Sequence, residues 1–226
     1  MKTILSWSSG KDSAWALHLL RQDPAIEVMG LLVTINEAFD RVAMHGVRRP
    51  LVEAQARAAG LPLHVVSIPH PCPNEVYEAR MAAFIAEVRA AGIEAIAFGD
   101  LFLEDIRAYR EQRLHGTGIT PLFPVWGLDT SELARLMIAA GLGARIACLD
   151  PRQIDPCFIG RDFDAALLSD LPATADPCGE RGEFHTFAYA GPMFSAPIAI
   201  EPGEIVERDG FLFADLKHNE APHVPG

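Results

Sequence analysis

Residues 4–20 read ILSWSSGKDSAWALHLL, and this stretch decides the interpretation of the chain. The apolar run Ile4–Trp7 predicts a strand, and Ala14–Leu20 predicts a helix. A strand-to-helix turn presents free backbone N–H groups, and the helix dipole adds about half a positive charge there. Such a turn is a ready anion site, for which phosphate is a frequent ligand. The alternative is an ordinary polar turn in which Ser or Asp caps the helix.

The residue types of the turn favour the anion site. Three serines can donate hydroxyl hydrogen bonds, a glycine allows close approach of the backbone, and a lysine supplies a full positive charge. The turn is not a Walker A loop, because Lys11 is followed by Asp12 and the required earlier glycine is missing. The candidate binding residues are Ser8, Ser9, Gly10, Lys11, Asp12 and Ser13.

Composition and charge narrow the class of protein. The chain has 226 residues, of which 50% are hydrophobic, so a sizeable core is possible. Its apolar runs are all shorter than the roughly 18 to 20 residues of a membrane span, and Lys2 is not followed by a secretory signal. We therefore expect a cytoplasmic protein without membrane contact. The net charge of −11 argues against nucleic acid as the main partner, and the four cysteines contain no CxxC pair.

The first half of the chain alternates strands and helices. The predicted strands are 2–7, 26–35, 63–68 and 93–100, and the predicted helices are 12–22, 47–59 and one that Asn74 caps and Gly92 ends. This alternation predicts βαβ units and a parallel sheet. Ligands of such sheets bind at the carboxyl ends of the strands. Thr34 and the pair Gly99–Asp100 should therefore lie along the same edge as the Ser8–Ser13 turn.

The amino-acid composition of the chain changes after about residue 115. The following segment is rich in Gly and Pro, and it leads to helices at 130–141 and 163–171 and a strand at 144–150. Short strands follow at 183–191, 195–201, 205–208 and 211–216, and residues 217–226 are expected to form a loose tail. Asp209-Gly210 predicts a hairpin. We predict a division into residues 1–115 and a smaller mixed α+β region, 116–226.

Three segments carry a resemblance to a known family. SWSSGKDSAWAL resembles the PP-loop of ATP pyrophosphatases, with consensus S-G-G-x-D-S, although Ser9 stands where the consensus has glycine. FGDLFLEDIRAYRE and DPCGERGEFHTF resemble the branch that contains diphthine–ammonia ligase. The resemblance implies an adenine nucleotide alpha hydrolase-like (HUP/Rossmann-like) fold. It also implies that 1–115 binds ATP and that 116–226 binds the substrate.

The resemblance further implies a reaction and its cofactors. ATP is cleaved to AMP and pyrophosphate, which adenylates a carboxylate acceptor, a small molecule or a protein, and ammonia then forms an amide. Lys11 would be the electrostatic clamp on the phosphates, and Thr34 would lie near adenine. Asp100 and Glu104, with Asp105 beside them, could hold Mg²⁺. Asp12 could cap the first helix or help to place the same ion. Glu104 and Asp105 could instead complement the dipole of the helix they begin.

The segment DPCGERGEFHTF contains the remaining catalytic candidates. Glu180 and Glu183 could bind ammonium or act as a base toward it. His185 could relay a proton or merely pack, and Cys178 is a nucleophile candidate that is more simply a small packed residue. The loop from residue 36 to 45 either receives the acceptor or is solvated. Of Arg107 and Arg110, one could face phosphate, or both could form surface ion pairs.

Two other functions compete with a ligase. The first is an ATP-binding regulatory protein without turnover. The second is a PP-loop tRNA-modifying enzyme, which the absent CxxC and the acidic charge disfavour. The apolar C-terminal hairpin would suit a homodimer.

Overall fold

The computed structural model describes residues 1–43 and 45–219 of the chain. The strands are β1 (Lys2–Ser6), β2 (Glu27–Asn36), β3 (Arg41–Val42), β4 (Leu63–Ile68), β5 (Ala95–Ala97), β6 (Thr120–Leu122), β7 (Gly143–Leu149), β8 (Phe184–Ala190), β9 (Ile200–Arg208) and β10 (Phe211–His218). The α-helices are α1 (Lys11–Gln22), α2 (Arg49–Ala59), α3 (Asn74–Ala90), α4 (Glu104–Leu114), α5 (Thr130–Ala139) and α6 (Ala165–Asp170), and Pro156–Phe158 forms a 3₁₀ turn.

The first sheet, sheet A, is mostly parallel, and its order is β3-β2-β1-β5-β6, with β4 also pairing with β2. The one antiparallel partner is the two-residue β3, which was not predicted. Helices cover both faces, so β2 needs apolar side chains on each side. Leu31 and Val33 pack in one buried cluster and Leu32 packs in another. The predicted α/β fold with a parallel sheet is confirmed.

The second sheet, sheet B, is antiparallel, with order β8-β7-β10-β9. Asp209 and Gly210 have φ of 51° and 80° and form the predicted hairpin between β9 and β10. The separate strands predicted at 195–201 and 205–208 are wrong, because β9 is one continuous strand that begins at Ile200. The predicted loose tail also begins too early. Residues 217 and 218 belong to β10, and residues 220–226 lie outside the described part of the chain.

Local capping explains where several helices differ from prediction. Asn74 is the first residue of α3 and not its cap, because Pro73, with φ fixed at −61°, takes the cap position. Asp129 and Asp164 accept hydrogen bonds from backbone N–H groups three residues on, and these caps set the starts of α5 and α6.

The two sheets share a core. Leu17 of α1, Phe187 of β8 and Leu149 of β7 belong to one buried apolar cluster. Sheet A also extends beyond residue 115, where we predicted a division, because β6 pairs with β5. No helix within the described residues is both long and apolar enough to cross a membrane.

Candidate functional site

A cavity of about 210 Å³ lies where three loops meet at the carboxyl edge of sheet A. The loops are the β1–α1 turn, the β5–α4 loop and the loop that precedes β8. The residues that line the cavity are Ser6, Ser8, Gly10, Lys11, Asp12, Ser13, His45, Phe98, Gly99, Asp100, Arg110, Cys178, Gly179, Glu180, Phe184, His185 and Thr186. All three sequence segments that resemble the family therefore contribute to one cavity.

Distant residues hold the β1–α1 turn in place. Buried Gln55 of α2 donates hydrogen bonds to the carbonyls of Ser9 (2.9 Å) and Ala188 (2.6 Å) and accepts one from Trp7 Nε1 (2.8 Å). The Ala188 N–H donates to the same Ser9 carbonyl, and Thr186 Oγ1 accepts from the Lys11 N–H. Sequence reasoning missed Gln55, because a glutamine in an amphipathic helix has no local signal of burial.

Ser9 serves the turn through its backbone. Its φ of 70° lies in the left-handed region that favours glycine, which accounts for the glycine of the consensus at this position. Its side chain is buried and does not line the cavity, and its Oγ finds no hydrogen-bond partner within the described residues. Of the three serines in the turn, Ser8 and Ser13 line the cavity, and their hydroxyls lie 3.1 Å apart.

The ammonium of Lys11 joins the turn to the loop that carries Cys178. Nζ donates to Asp12 Oδ2 at 2.9 Å and to the carbonyl of Cys178, and the side chain is 2% exposed. Burial alone would lower the pKa of Lys11, but the nearby negative charges, Asp12 first, outweigh it and raise the pKa. Lys11 therefore stays charged at the cavity wall. Its predicted role as a clamp on phosphate stays a prediction.

Gly99 allows the β5–α4 loop to touch the start of α1. A Cβ at this position would lie 3.1 Å from the Asp12 carbonyl carbon and 2.9 Å from the Ser13 amide nitrogen, and the second distance is shorter than real Cβ atoms show. The next residue, Asp100, lies 3.5 Å from Arg110 Nε, and the Arg110 guanidinium lies over the Phe98 ring. Burial raises the pKa of Asp100 and Arg110 opposes that rise. Of the two predicted arginines, Arg110 reaches the cavity.

Glu180 is the titratable group best placed for acid–base chemistry. Its Oε1 accepts a hydrogen bond from the Leu101 N–H at 2.8 Å, and the side chain lines the cavity. Burial raises the pKa of Glu180 to about 7, against the opposing effect of the Leu101 hydrogen bond. A carboxyl with a pKa near neutrality can both accept and release a proton under cellular conditions.

Glu183 has a different environment from Glu180. It is 3% exposed, its oxygens accept hydrogen bonds from the N–H groups of Asp176 (2.7 Å) and Arg181 (2.9 Å), and it does not line the cavity. Asp176 Oδ1 in turn accepts from the N–H groups of Cys178 and Glu180. These contacts are those of a residue that positions its own loop, and the catalytic role of Glu183 stays a prediction. Its carboxylate shapes the loop that presents Glu180.

Three further titratable side chains line the cavity, Cys178, His45 and His185, and they are neutral near pH 7. The Cys178 thiol is buried and contacts the Thr130 carbonyl, and burial raises its pKa far above neutrality, which disfavours a nucleophile. The rings of His45 and His185 lie 4.4 Å apart. Burial lowers the pKa of His185 to about 4 and that of His45 well below its usual range. This pair forms an uncharged wall beside the turn.

Two predicted binding residues lie apart from the cavity. The Thr34 carbonyl accepts a hydrogen bond from the Ala43 N–H, and exposed Glu104 begins α4; neither residue lines the cavity. Their roles toward adenine and Mg²⁺ stay predictions.

The cavity nevertheless suits a magnesium nucleotide. Within the described residues, no group of three or more His, Cys, Asp or Glu side chains could hold a metal by itself. Mg²⁺ in nucleotide sites is usually held by one or two carboxylates together with substrate phosphates. Asp12 Oδ1 and Asp100 Oδ2 are buried without a hydrogen-bond partner among those residues. Both belong to side chains that line the cavity, so Asp100 and Asp12 remain candidates for holding Mg²⁺ there.

Comparison with known proteins identifies the family of the chain. The family model described as the diphthamide synthase N-terminal domain matches residues 1–120. The chain belongs to this family. The human protein named diphthine–ammonia ligase is 26% identical over 131 residues, covering 56% of this chain and 49% of that protein. Its cow and mouse counterparts are each 25% identical, with the same coverage. The chain thus spans about half the length of these curated relatives, and their names support a ligase at family level.

Proposed function

We propose that this protein binds Mg·ATP at the β1–α1 turn, adenylates a carboxylate acceptor and releases an amide after ammonia attacks. The observation that carries this proposal is the position of Glu180, whose pKa is near 7, in the same cavity as a phosphate-type turn. The names of the curated relatives support the amide-forming half.

The turn would bind the triphosphate. The first amide groups of α1 have no acceptor inside the helix, and Ser8 and Ser13 add hydroxyl donors at the cavity surface. Attack of the acceptor carboxylate on the α-phosphorus forms a C–O–P bond and expels pyrophosphate. The donors around the turn would stabilise the charge that develops on this leaving group. Mg²⁺, held by Asp12 and Asp100 with phosphate oxygens, would neutralise part of the same charge.

Glu180 would serve the second step. The nitrogen of ammonia forms a bond to the acyl carbon, the bond from that carbon to the AMP oxygen breaks, and AMP leaves with the electron pair. The nitrogen must lose a proton, and the Glu180 carboxylate accepts it. Burial lowers the pKa of both His45 and His185, so these rings are weak bases that would compete little with Glu180 for the proton.

The test separates the two steps. A panel of carboxylic acids is incubated with the protein, Mg·ATP and labelled pyrophosphate without ammonia, and label entering ATP reports reversible adenylation. Adding ammonium chloride should then convert the acid that supports exchange to its amide, with AMP as the nucleotide product. Glu180→Gln, which keeps the shape of the side chain, should retain exchange and lose amide formation.

The products decide among the alternatives. Release of ADP and phosphate would contradict cleavage between the α and β phosphates. Saturable Mg·ATP binding without exchange across the panel would favour a regulatory protein that binds ATP without turnover. Equal amide formation by Glu180→Gln would remove Glu180 from the mechanism.

A further inference from the structure

A second cavity, of about 350 Å³, lies between α3 and α4. Its floor is formed by Leu32 and Ile96, side chains on the face of sheet A that α3 and α4 cover, and its walls include Met81, Ile85 and Tyr109. Small-molecule sites typically occupy about 300–1,000 Å³ and are lined mainly by apolar and aromatic groups. This cavity has the size and the lining of such a site.

The charged groups of the cavity are mostly cationic. Its lining contains Arg89, Arg110 and Arg113 but a single acidic residue, Glu78. Arg113 pairs with Glu78, and Arg89 donates to the carbonyl of Thr117 at 2.6 Å.

Arg110 is the least satisfied of the three arginines. Its nearest acidic group is Asp100 at 3.5 Å, and its Nε has no hydrogen-bond partner within the described residues. An arginine of this kind at the edge of an apolar cavity favours a ligand with one anionic group, which charge-assisted hydrogen bonds would hold.

We infer that the cavity between α3 and α4 binds a small organic anion with an apolar body, such as a medium-chain carboxylate. The apolar body would lie against Leu32, Met81 and Ile85, and the anionic group would lie at Arg110. Phe98 and Arg110 line both this cavity and the one at the β1–α1 turn, so the anionic end would sit at their common wall. The inference goes beyond the proposed function, since it concerns a second ligand and does not require ATP turnover.

Calorimetry without ATP tests the site directly. Octanoate, octanol and acetate are titrated into the full chain, and octanoate should bind at one site, at least tenfold more tightly than either of the others. The neutral octanol lacks the anionic group and acetate lacks the apolar body. Ala86 lies exposed on α3 at the cavity, so Ala86→Trp should fill its mouth and weaken octanoate binding at least tenfold.

Two further variants control the result. Ala83 is exposed on the same helix but does not line the cavity, so Ala83→Trp should bind octanoate as the wild type does. Arg110→Gln should weaken octanoate binding about tenfold and leave octanol unchanged. The inference is overturned if the wild type binds octanoate no better than acetate, if Ala86→Trp binds as well as Ala83→Trp, or if octanol and octanoate bind equally. None of these results depends on whether the protein cleaves ATP.

Discussion

Replacing Gln55 with leucine tests whether this residue holds the β1–α1 turn in place. The change removes three buried hydrogen bonds, which join Gln55 to Trp7, Ser9 and Ala188. The Ser9 carbonyl keeps its bond from the Ala188 N–H. The Trp7 indole N–H and the Ala188 carbonyl lose a partner in a site that water does not reach.

The expected loss in the free energy of unfolding comes from the Trp7 N–H and the Ala188 carbonyl. A buried polar group left without its partner costs about 1–3 kcal/mol, so the two groups together should lower the free energy of unfolding of Gln55→Leu by about 2–6 kcal/mol. Urea denaturation followed by tryptophan fluorescence measures this loss. Gln112 is exposed on α4, and Gln112→Leu should change the free energy by no more than about 0.5 kcal/mol.

A second variant, Gln55→Glu, tests the amide donor of Gln55 separately from its oxygen acceptor. Gln55→Glu can still accept the Trp7 hydrogen bond but cannot donate to the carbonyls of Ser9 and Ala188. It should therefore also destabilise the protein and weaken Mg·ATP binding in calorimetry. A loss below about 1 kcal/mol for Gln55→Leu, or wild-type behaviour of Gln55→Glu, would refute the view that Gln55 braces the turn.

Three shorter predictions concern the cavity itself. If Glu180 acts as a base, kcat/KM for amide formation should rise with pH through about 7, because burial raises the pKa of Glu180 to about 7 and the carboxylate form predominates above it. If the residual activity of Glu180→Gln shows the same rise, the pH dependence belongs to another group. Ser9→Val should lower the free energy of unfolding by about 1–3 kcal/mol, because a β-branched residue is strained at φ of 70°. The control Ser9→Gly should be at least as stable as the wild type, and equal urea midpoints for the two variants would contradict this reasoning. Gly99→Ala should cost about 1–3 kcal/mol, because its Cβ would meet the Ser13 backbone at 2.9 Å, and an unchanged urea midpoint would show that the loop moves aside without cost.

The parallel sheet could be predicted because its signals are local. The continuous apolar run of β2 and the helices between strands both follow from burial of the sheet on two faces. The errors lie where local signals compete. Pro73 takes the cap position of α3 that we predicted for Asn74, and β9 continues through Pro202 and Gly203, two turn-type residues that lie between the strands predicted at 195–201 and 205–208.

The site was predictable in part for a similar reason. The turn and the Gly99–Asp100 pair lie at strand ends of one sheet, and that edge is where ligands of such folds bind. Glu180 and Glu183 looked equivalent in sequence, since they are three residues apart in one polar loop. Their difference arises from tertiary contacts: one carboxylate meets the Leu101 N–H beside the cavity, and the other is enclosed by its own loop.

The residues of the candidate site come from two parts of the chain. The family model matches residues 1–120, which hold the phosphate-type turn and Asp100. Glu180 and Thr186 come from beyond that range, and Lys11 reaches across to the Cys178 carbonyl. The proposed nucleotide binding and the proposed amidation step would thus depend on different parts of the chain. A change in the loop between Asp176 and Glu183 would alter the second step and the burial of Lys11 together, because one ion-paired ammonium joins the two parts.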